Sequence, residues 1–141
     1  MQFSDVSLMP TVAAFFAAFV SGFIWFGPKT FFPVWWKAMG RTEADVPGNS
    51  NMGAVFGLTI VGIAFQALGM SLVIGLQQRL VGDIDFAAGL MTGLVVGVCF
   101  SAASSLSHRM FAGHGVKVWV IETANDVINA ALMGGIIAAM I

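Results

Sequence analysis

The segment KVWVIETANDVINAALMGGIIAAMI, from Lys117 to Ile141, decides how this chain folds. It is longer than the roughly 20 residues that a helix needs to cross about 30 Å of hydrocarbon. It carries Glu122, Asn125, Asp126 and Asn129 inside what should be hydrocarbon. At about 100° per residue these four fall within roughly 100° of one helix face. Such a stripe is costly in hydrocarbon, so we expect other parts of the chain to receive it.

The composition of the whole chain is that of a membrane protein. Of its 141 residues 58% are hydrophobic and only 9% are charged, and the mean hydropathy is +0.91. A soluble domain carries roughly 25% charged residues, so this deficit predicts a surface that mostly faces lipid. A net charge of -1 argues against a nucleic-acid partner. The single cysteine, Cys99, can form no internal disulfide.

The apolar runs predict an all-α protein, a bundle of four transmembrane helices that forms one domain over residues 1–141. The predicted helices lie near residues 9–26, 52–76, 86–107 and 116–140. The first run ends in Trp25-Phe-Gly-Pro-Lys29 and has no basic residue before it, so we expect it to stay as a membrane helix and not to be cleaved. Residues 30–39 are too short to span and rich in aromatic residues, which predicts a short helix along the membrane interface.

Basic residues predict the orientation of the bundle. The first and third connections hold Lys29, Lys37, Arg41, Arg109 and Lys117. The second connection holds only Arg79, beside Asp83 and Asp85. We therefore expect loops 27–51 and 108–116 to be cytoplasmic and both termini to be periplasmic.

Small residues recur at fourfold spacing on two predicted helices. The lines are Ala14, Ala18 and Gly22 on the first, and Gly89, Gly93, Gly97, Ser101 and Ser105 on the third. Such lines allow helices to approach closely in lipid. Whether they face helices of the same chain or of another copy is open at this point.

Hydroxyl side chains of the other predicted helices lie at the same depth as the polar stripe of the last helix. At 1.5 Å per residue, Ser21, Thr59, Ser101 and Ser105 lie at depths similar to Glu122 and Asp126, in the same half of the membrane. We expect them to converge on one polar layer, with Asp126 protonated because no basic residue lies deep enough to pair with it. One interpretation is a pathway or pocket for protons, cations or a ligand. The other is that these side chains hold helices together, inside the bundle or against a partner helix, and we favour this second interpretation.

Two stretches resemble a known family. The first is Gly22-Phe-Ile-Trp-Phe-Gly-Pro28 followed by Trp36, Lys37 and Gly40, and the second is Val116-Lys-Val-Trp-Val-Ile-Glu-Thr-Ala-Asn-Asp126 with a later Met-Gly-Gly135. Together they resemble an uncharacterised bacterial membrane-protein family, domain of unknown function 1761. The resemblance implies a small four-helix protein of the bacterial inner membrane and brings no established activity.

No catalytic or metal-binding constellation stands out. His108 and His114 lack a third ligand, and no histidine lies within a predicted helix, so we expect no metal site and no cofactor. The tryptophans, which we expect to form an interfacial belt, are Trp25, Trp35, Trp36 and Trp119. We predict a non-enzymatic packing or accessory subunit of a homo-oligomer or of a larger membrane complex. The alternative is a small transporter or channel for protons or a solute.

Overall fold

The computed structural model describes residues 5–42, 44–45 and 51–141, and within them it is helical with no strand. The elements are α1 (Leu8–Trp25), α2 (Phe32–Ala38), α3 (Met52–Val81), α4 (Phe86–Val96), a π-helical segment (Gly97–Ala102), α5 (Ala103–Phe111) and α6 (Gly115–Met140). The π-helical segment joins α4 and α5 into one continuous rod, Phe86–Phe111. The predicted all-α four-helix bundle is confirmed. Most of the polar stretch 41–51 lies outside the described residues.

Four helices are long and apolar enough to cross a membrane: α1, α3, the rod from α4 to α5, and α6. Two of them run beyond their expected ends, α3 to Val81 and the rod to Phe111. The added turn of α3 contains Gln77, Gln78 and Arg79, which are good helix formers, and it stops at Gly82 with φ of 86°.

Helix α6 lies at the centre of the bundle. It contacts every other helix, and 44% of an apolar stretch of 18 residues in α6 is buried, against 22% in each of the other three spans. The core residues come from α1, α3 and α6: Ala14, Ala18, Ala67, Met70, Ile74, Met133, Ile137 and Ala138. Ala14 and Ala18 are fully buried, so the small-residue line of α1 faces the bundle interior.

Glycines allow α4 to lie directly against α6. A Cβ atom on Gly93 would collide with the carbonyl oxygen of Ala130, and one on Gly89 with that of Gly134. A Cβ on Gly97 would come within 2.8 Å of the Cα of Val127. The glycine line of the third span therefore packs inside this chain, which answers the question that the spacing left open.

Helix α3 leaves the bundle in its first half. Every residue from 51 to 62 is exposed, whereas Ala67, Met70, Ser71 and Ile74 in the second half are buried. The second half packs on α1 and α6 and only slightly on α4. A gap consequently opens between α3 and the rod that follows it in sequence.

Candidate functional site: a cavity between α3 and the π-helical segment

A cavity of about 410 Å³ occupies this gap. Helix α6 forms its floor, α3 one wall and the π-helical segment the other. Its lining residues are Gln66, Gly69, Met70, Val73, Val96, Gly97, Phe100, Ser101, Asp126, Ala130 and Met133. Three of them, Gln66, Ser101 and Asp126, carry polar side chains, while the remaining surface is apolar.

Asp126 is the acidic group of the cavity. The hydroxyl of Ser101 donates a hydrogen bond to Oδ2 of Asp126 at 3.3 Å, which is long for an O–H···O bond. Asp126 lies roughly 16 Å along α6 from Gly115, and Ser101 roughly 15 Å back along the rod from Phe111. Both side chains therefore sit near the middle of their spans, level with the midpoint of α3 at Gln66.

The π-helical segment shapes one wall of this cavity. It contributes Gly97, Phe100 and Ser101 to the lining. At the end of this segment, the indole Nε1 of Trp119 donates a 3.0 Å hydrogen bond to the carbonyl oxygen of Ala102. Single π turns inside α-helices frequently occur at functional sites. No sequence pattern marked this one.

Glu122 belongs to a different site. Its Oε1 accepts a hydrogen bond from Nε1 of Trp35 at 2.9 Å, and its Oε2 forms an ion pair with Nε of Arg109 at 2.6 Å. Both carboxylate oxygens are thus engaged, and the residue does not line the cavity. Through Trp35 and Arg109, Glu122 holds α2 and the end of α5 against α6.

The two carboxamides of the stripe face α1. Asn125 and Asn129 are only 7% and 6% exposed, and a Cβ on Gly22 would lie 3.9 Å from the Nδ2 atom of each. Neither Oδ1 atom has a hydrogen-bond partner among the residues that the structure describes. The stripe is therefore divided, with its amides against α1 and its two acids in separate environments.

The other expected hydroxyl groups of the polar layer, on Ser21, Thr59 and Ser105, do not line the cavity that Asp126 lines. Thr59 is exposed and donates to the carbonyl of Val55 at 2.9 Å within α3. Ser105 donates within its own rod to the carbonyl of Ala102 at 3.1 Å, and Ser21 of α1 is half-buried. A short polar side chain on a helix readily bonds to the preceding turn, so matching depth does not imply contact. Gln66, and not Thr59, is the polar side chain of α3 that lines the cavity beside Asp126.

The tryptophans act as hydrogen-bond donors at one end of the bundle. Trp25 donates to the carbonyl of Ile121 on α6 at 3.0 Å, and Trp36 to the carbonyl of Thr42 at 2.9 Å. Trp35 and Trp119 make the bonds described above. Three of the four indoles thus tie separate elements together. In the described part of the chain, no three His, Cys, Asp or Glu side chains lie close enough to hold a metal ion.

Fold and site define a class of small helical protein, in which four membrane-length helices form a bundle and α3, the rod and α6 line a cavity with an acidic floor. The chain belongs to the family described as Protein of unknown function (DUF1761), whose model matches residues 9–138. The resemblance seen in the two sequence stretches is thereby confirmed. Comparison with curated proteins and with solved structures finds no match.

Proposed function

We propose that this chain is a non-enzymatic protein of the bacterial inner membrane that assembles through α3, as a subunit of a homo-oligomer or of a larger membrane complex. The observation that carries this proposal is the exposed face of α3. A helix that leaves its own bundle in an apolar protein presents a surface for another helix.

That face carries a regular seam. Val55, Thr59, Gly62, Gln66, Gly69 and Val73 are spaced alternately four and three residues apart along α3. This is the a/d spacing of a packed helix pair. Val55 is 46% exposed, and a Cβ on either glycine would meet nothing within 4 Å. Small residues in such a seam let a second helix approach closely in lipid.

A second copy of the chain fits the seam best. Copies inserted in the same orientation run parallel, and a two-fold axis along the membrane normal sets each seam residue against its own counterpart. Thr59 and Gln66 then meet the same polar side chains of the other copy. Interhelical hydrogen bonds of this kind contribute about 0.6–2 kcal/mol each in membranes.

The orientation follows from the excess of basic residues in the first and third connections. We propose that both termini are periplasmic and that loops 27–51 and 108–116 are cytoplasmic. The end of the bundle that holds Trp25, α2 and the Arg109–Glu122 ion pair then faces the cytoplasm. Indole rings and short aromatic helices favour this interfacial level.

The assembly proposal is tested by placing leucine on opposite sides of α3. Gly62 lies in the seam, and Gly57 lies about 140° away around the helix and outside it. Both positions are open, since a Cβ atom added at either glycine would meet nothing within 4 Å. We expect Gly62→Leu to weaken self-association in lipid bilayers about tenfold or more, measured by energy transfer between labelled copies, and Gly57→Leu to leave it unchanged. Equal effects of the two variants, or a monomeric wild type that purifies without a partner, would contradict the proposal.

A second candidate function is transport of protons or a small solute, because an intramembrane carboxyl group faces a cavity. Proteoliposomes test it directly. Loss of flux in Asp126→Asn, with self-association intact, would favour transport over a purely structural role. Flux that is the same in Asp126→Asn and in the wild type would exclude transport through this cavity.

A further inference from the structure

We propose that the cavity between α3 and the π-helical segment binds a lipid-soluble amine, a molecule with a small cationic head and an apolar body. This inference rests on the lining of the cavity. Gln66, Gly69 and Val73 belong both to this lining and to the seam of α3, whereas Gly62 belongs to the seam alone, so a variant at Gly62 separates binding from assembly.

The charge of the lining selects the head of the ligand. Among the described residues that line the cavity, Asp126 is the one ionisable side chain. An anion in apolar surroundings is stabilised by a paired cation, and the lining supplies none. Arg109 is held by Glu122 at 2.6 Å and is not part of the lining. Without a paired cation we expect Asp126 to be protonated, so a neutral amine that enters from lipid takes this proton, and the resulting ammonium pairs with the carboxylate.

The hydrogen-bonding groups of the lining also suit an ammonium head. A carboxylate offers about four acceptor positions, and the structure gives Asp126 one long bond, from Ser101. Gln66 adds an amide oxygen, and the Ser101 hydroxyl oxygen is a further acceptor. A primary ammonium carries three donors, which matches the three acceptor groups that the floor and the two walls of the cavity supply.

The remaining lining suits an apolar body of limited size. Phe100, Met70 and Met133 dominate this part, and methionine side chains adapt readily to different shapes. The volume of about 410 Å³ lies at the small end of the range for sites that bind small molecules. Gln66, Gly69 and Phe100 are exposed, so the cavity opens between α3 and the rod to whatever surrounds the helices. At mid-span that surrounding is lipid, which selects for a lipid-soluble ligand.

Three probes with one body and different heads test the proposal: 4-phenylbutylamine, 4-phenylbutanol and 4-phenylbutyrate. Binding to the full chain in neutral-lipid nanodiscs is measured by equilibrium dialysis, with protein-free nanodiscs to subtract partition into lipid. We expect the amine to bind saturably and about tenfold or more tightly than the alcohol, and the carboxylate not to bind. An alcohol that binds as tightly as the amine would overturn the proposal.

Matched variants locate the binding. We expect Asp126→Asn to remove the preference for the amine, and Gly69→Leu to block binding because it fills the open cavity wall. Gly57→Leu on the same helix and Asp83→Asn in the exposed second connection should bind as the wild type does. Gly62→Leu should also retain binding, which separates this inference from assembly. Wild-type affinity for the amine in Asp126→Asn, or equal loss in Asp83→Asn, would refute the assignment.

Discussion

The indole Nε1 of Trp35 donates a 2.9 Å hydrogen bond to Oε1 of Glu122, which lies 87 residues further along the chain. This bond fixes the short helix α2 to the central helix α6, and Arg109 takes the second oxygen of the same carboxylate. An acid that would be costly in hydrocarbon is thereby paired with one neutral and one cationic donor. The carboxyl group four residues later, on Asp126, has no such partners and lines the cavity instead.

The Trp35–Glu122 bond should contribute measurably to stability. Trp35→Phe keeps an aromatic ring and removes the donor, so we expect a loss of about 1–2 kcal/mol in the free energy of unfolding, since a hydrogen bond to a charged group contributes about 1.5–3 kcal/mol. Trp36→Phe is the control because its indole Nε1 donates to the exposed carbonyl of Thr42, and we expect a change below about 0.5 kcal/mol. Unfolding in mixed micelles by titration with a denaturing detergent measures both. Equal losses would show that the partly buried bond to Glu122 contributes no more to stability than the exposed bond to Thr42.

The Arg109–Glu122 ion pair should couple the end of α5 to α6. The side chain of Arg109 is 39% exposed and that of Glu122 16%, so the pair is neither fully solvated nor fully buried. We expect a coupling energy of about 1–2 kcal/mol, between the values for surface pairs and for buried pairs. A double-mutant cycle of Arg109→Gln and Glu122→Gln, read from the same unfolding titration, measures it. Additive effects of the two substitutions would mean that the ion pair contributes no measurable coupling energy.

Contact between α4 and α6 requires a glycine at position 93. A methyl group there would collide with the backbone of α6 at Ala130, and backbone cannot move aside as a flexible side chain does. We expect Gly93→Ala to cost about 1–3 kcal/mol through overpacking. Gly57→Ala meets open space and should be neutral or stabilising by up to about 1 kcal/mol, because alanine has the higher helix propensity. Thermal unfolding in detergent compares the two, and a stable Gly93→Ala would contradict the close packing.

Orientation can be checked with two single cysteines in a Cys99→Ser background. Ala44 lies in the first connection and Asp83 in the second, and both residues are exposed. With both termini periplasmic, a membrane-impermeant maleimide should label Asp83→Cys in intact cells and Ala44→Cys only after permeabilisation. The reverse pattern would invert the proposed topology.

Individual residues show how much of the site could be predicted from the sequence. Its spacing placed Glu122 and Asp126 on one face of the last helix, and depth matched Ser101 to Asp126. The same estimate placed Thr59 and Ser105 at the depth of Asp126, but in the structure their hydroxyl groups donate to backbone carbonyls of their own helices. Position along a helix gives depth and azimuth, but the separation of two helices depends on how their side chains pack. For that reason no sequence pattern revealed the gap between α3 and the rod beside Gln66.

The sequence by itself determined the four apolar helices, because the length of an apolar run and the thickness of hydrocarbon are properties of the chain and the solvent alone. It also determined that α6 must be covered by other helices, because its polar stripe cannot face lipid. Only the tertiary structure decided that Glu122 binds Trp35 and Arg109, whereas Asp126 lines the floor of the cavity. Both carboxyl groups belong to one stripe, and what separates them is the placement of Trp35 and Arg109 near one and the gap beside α3 near the other.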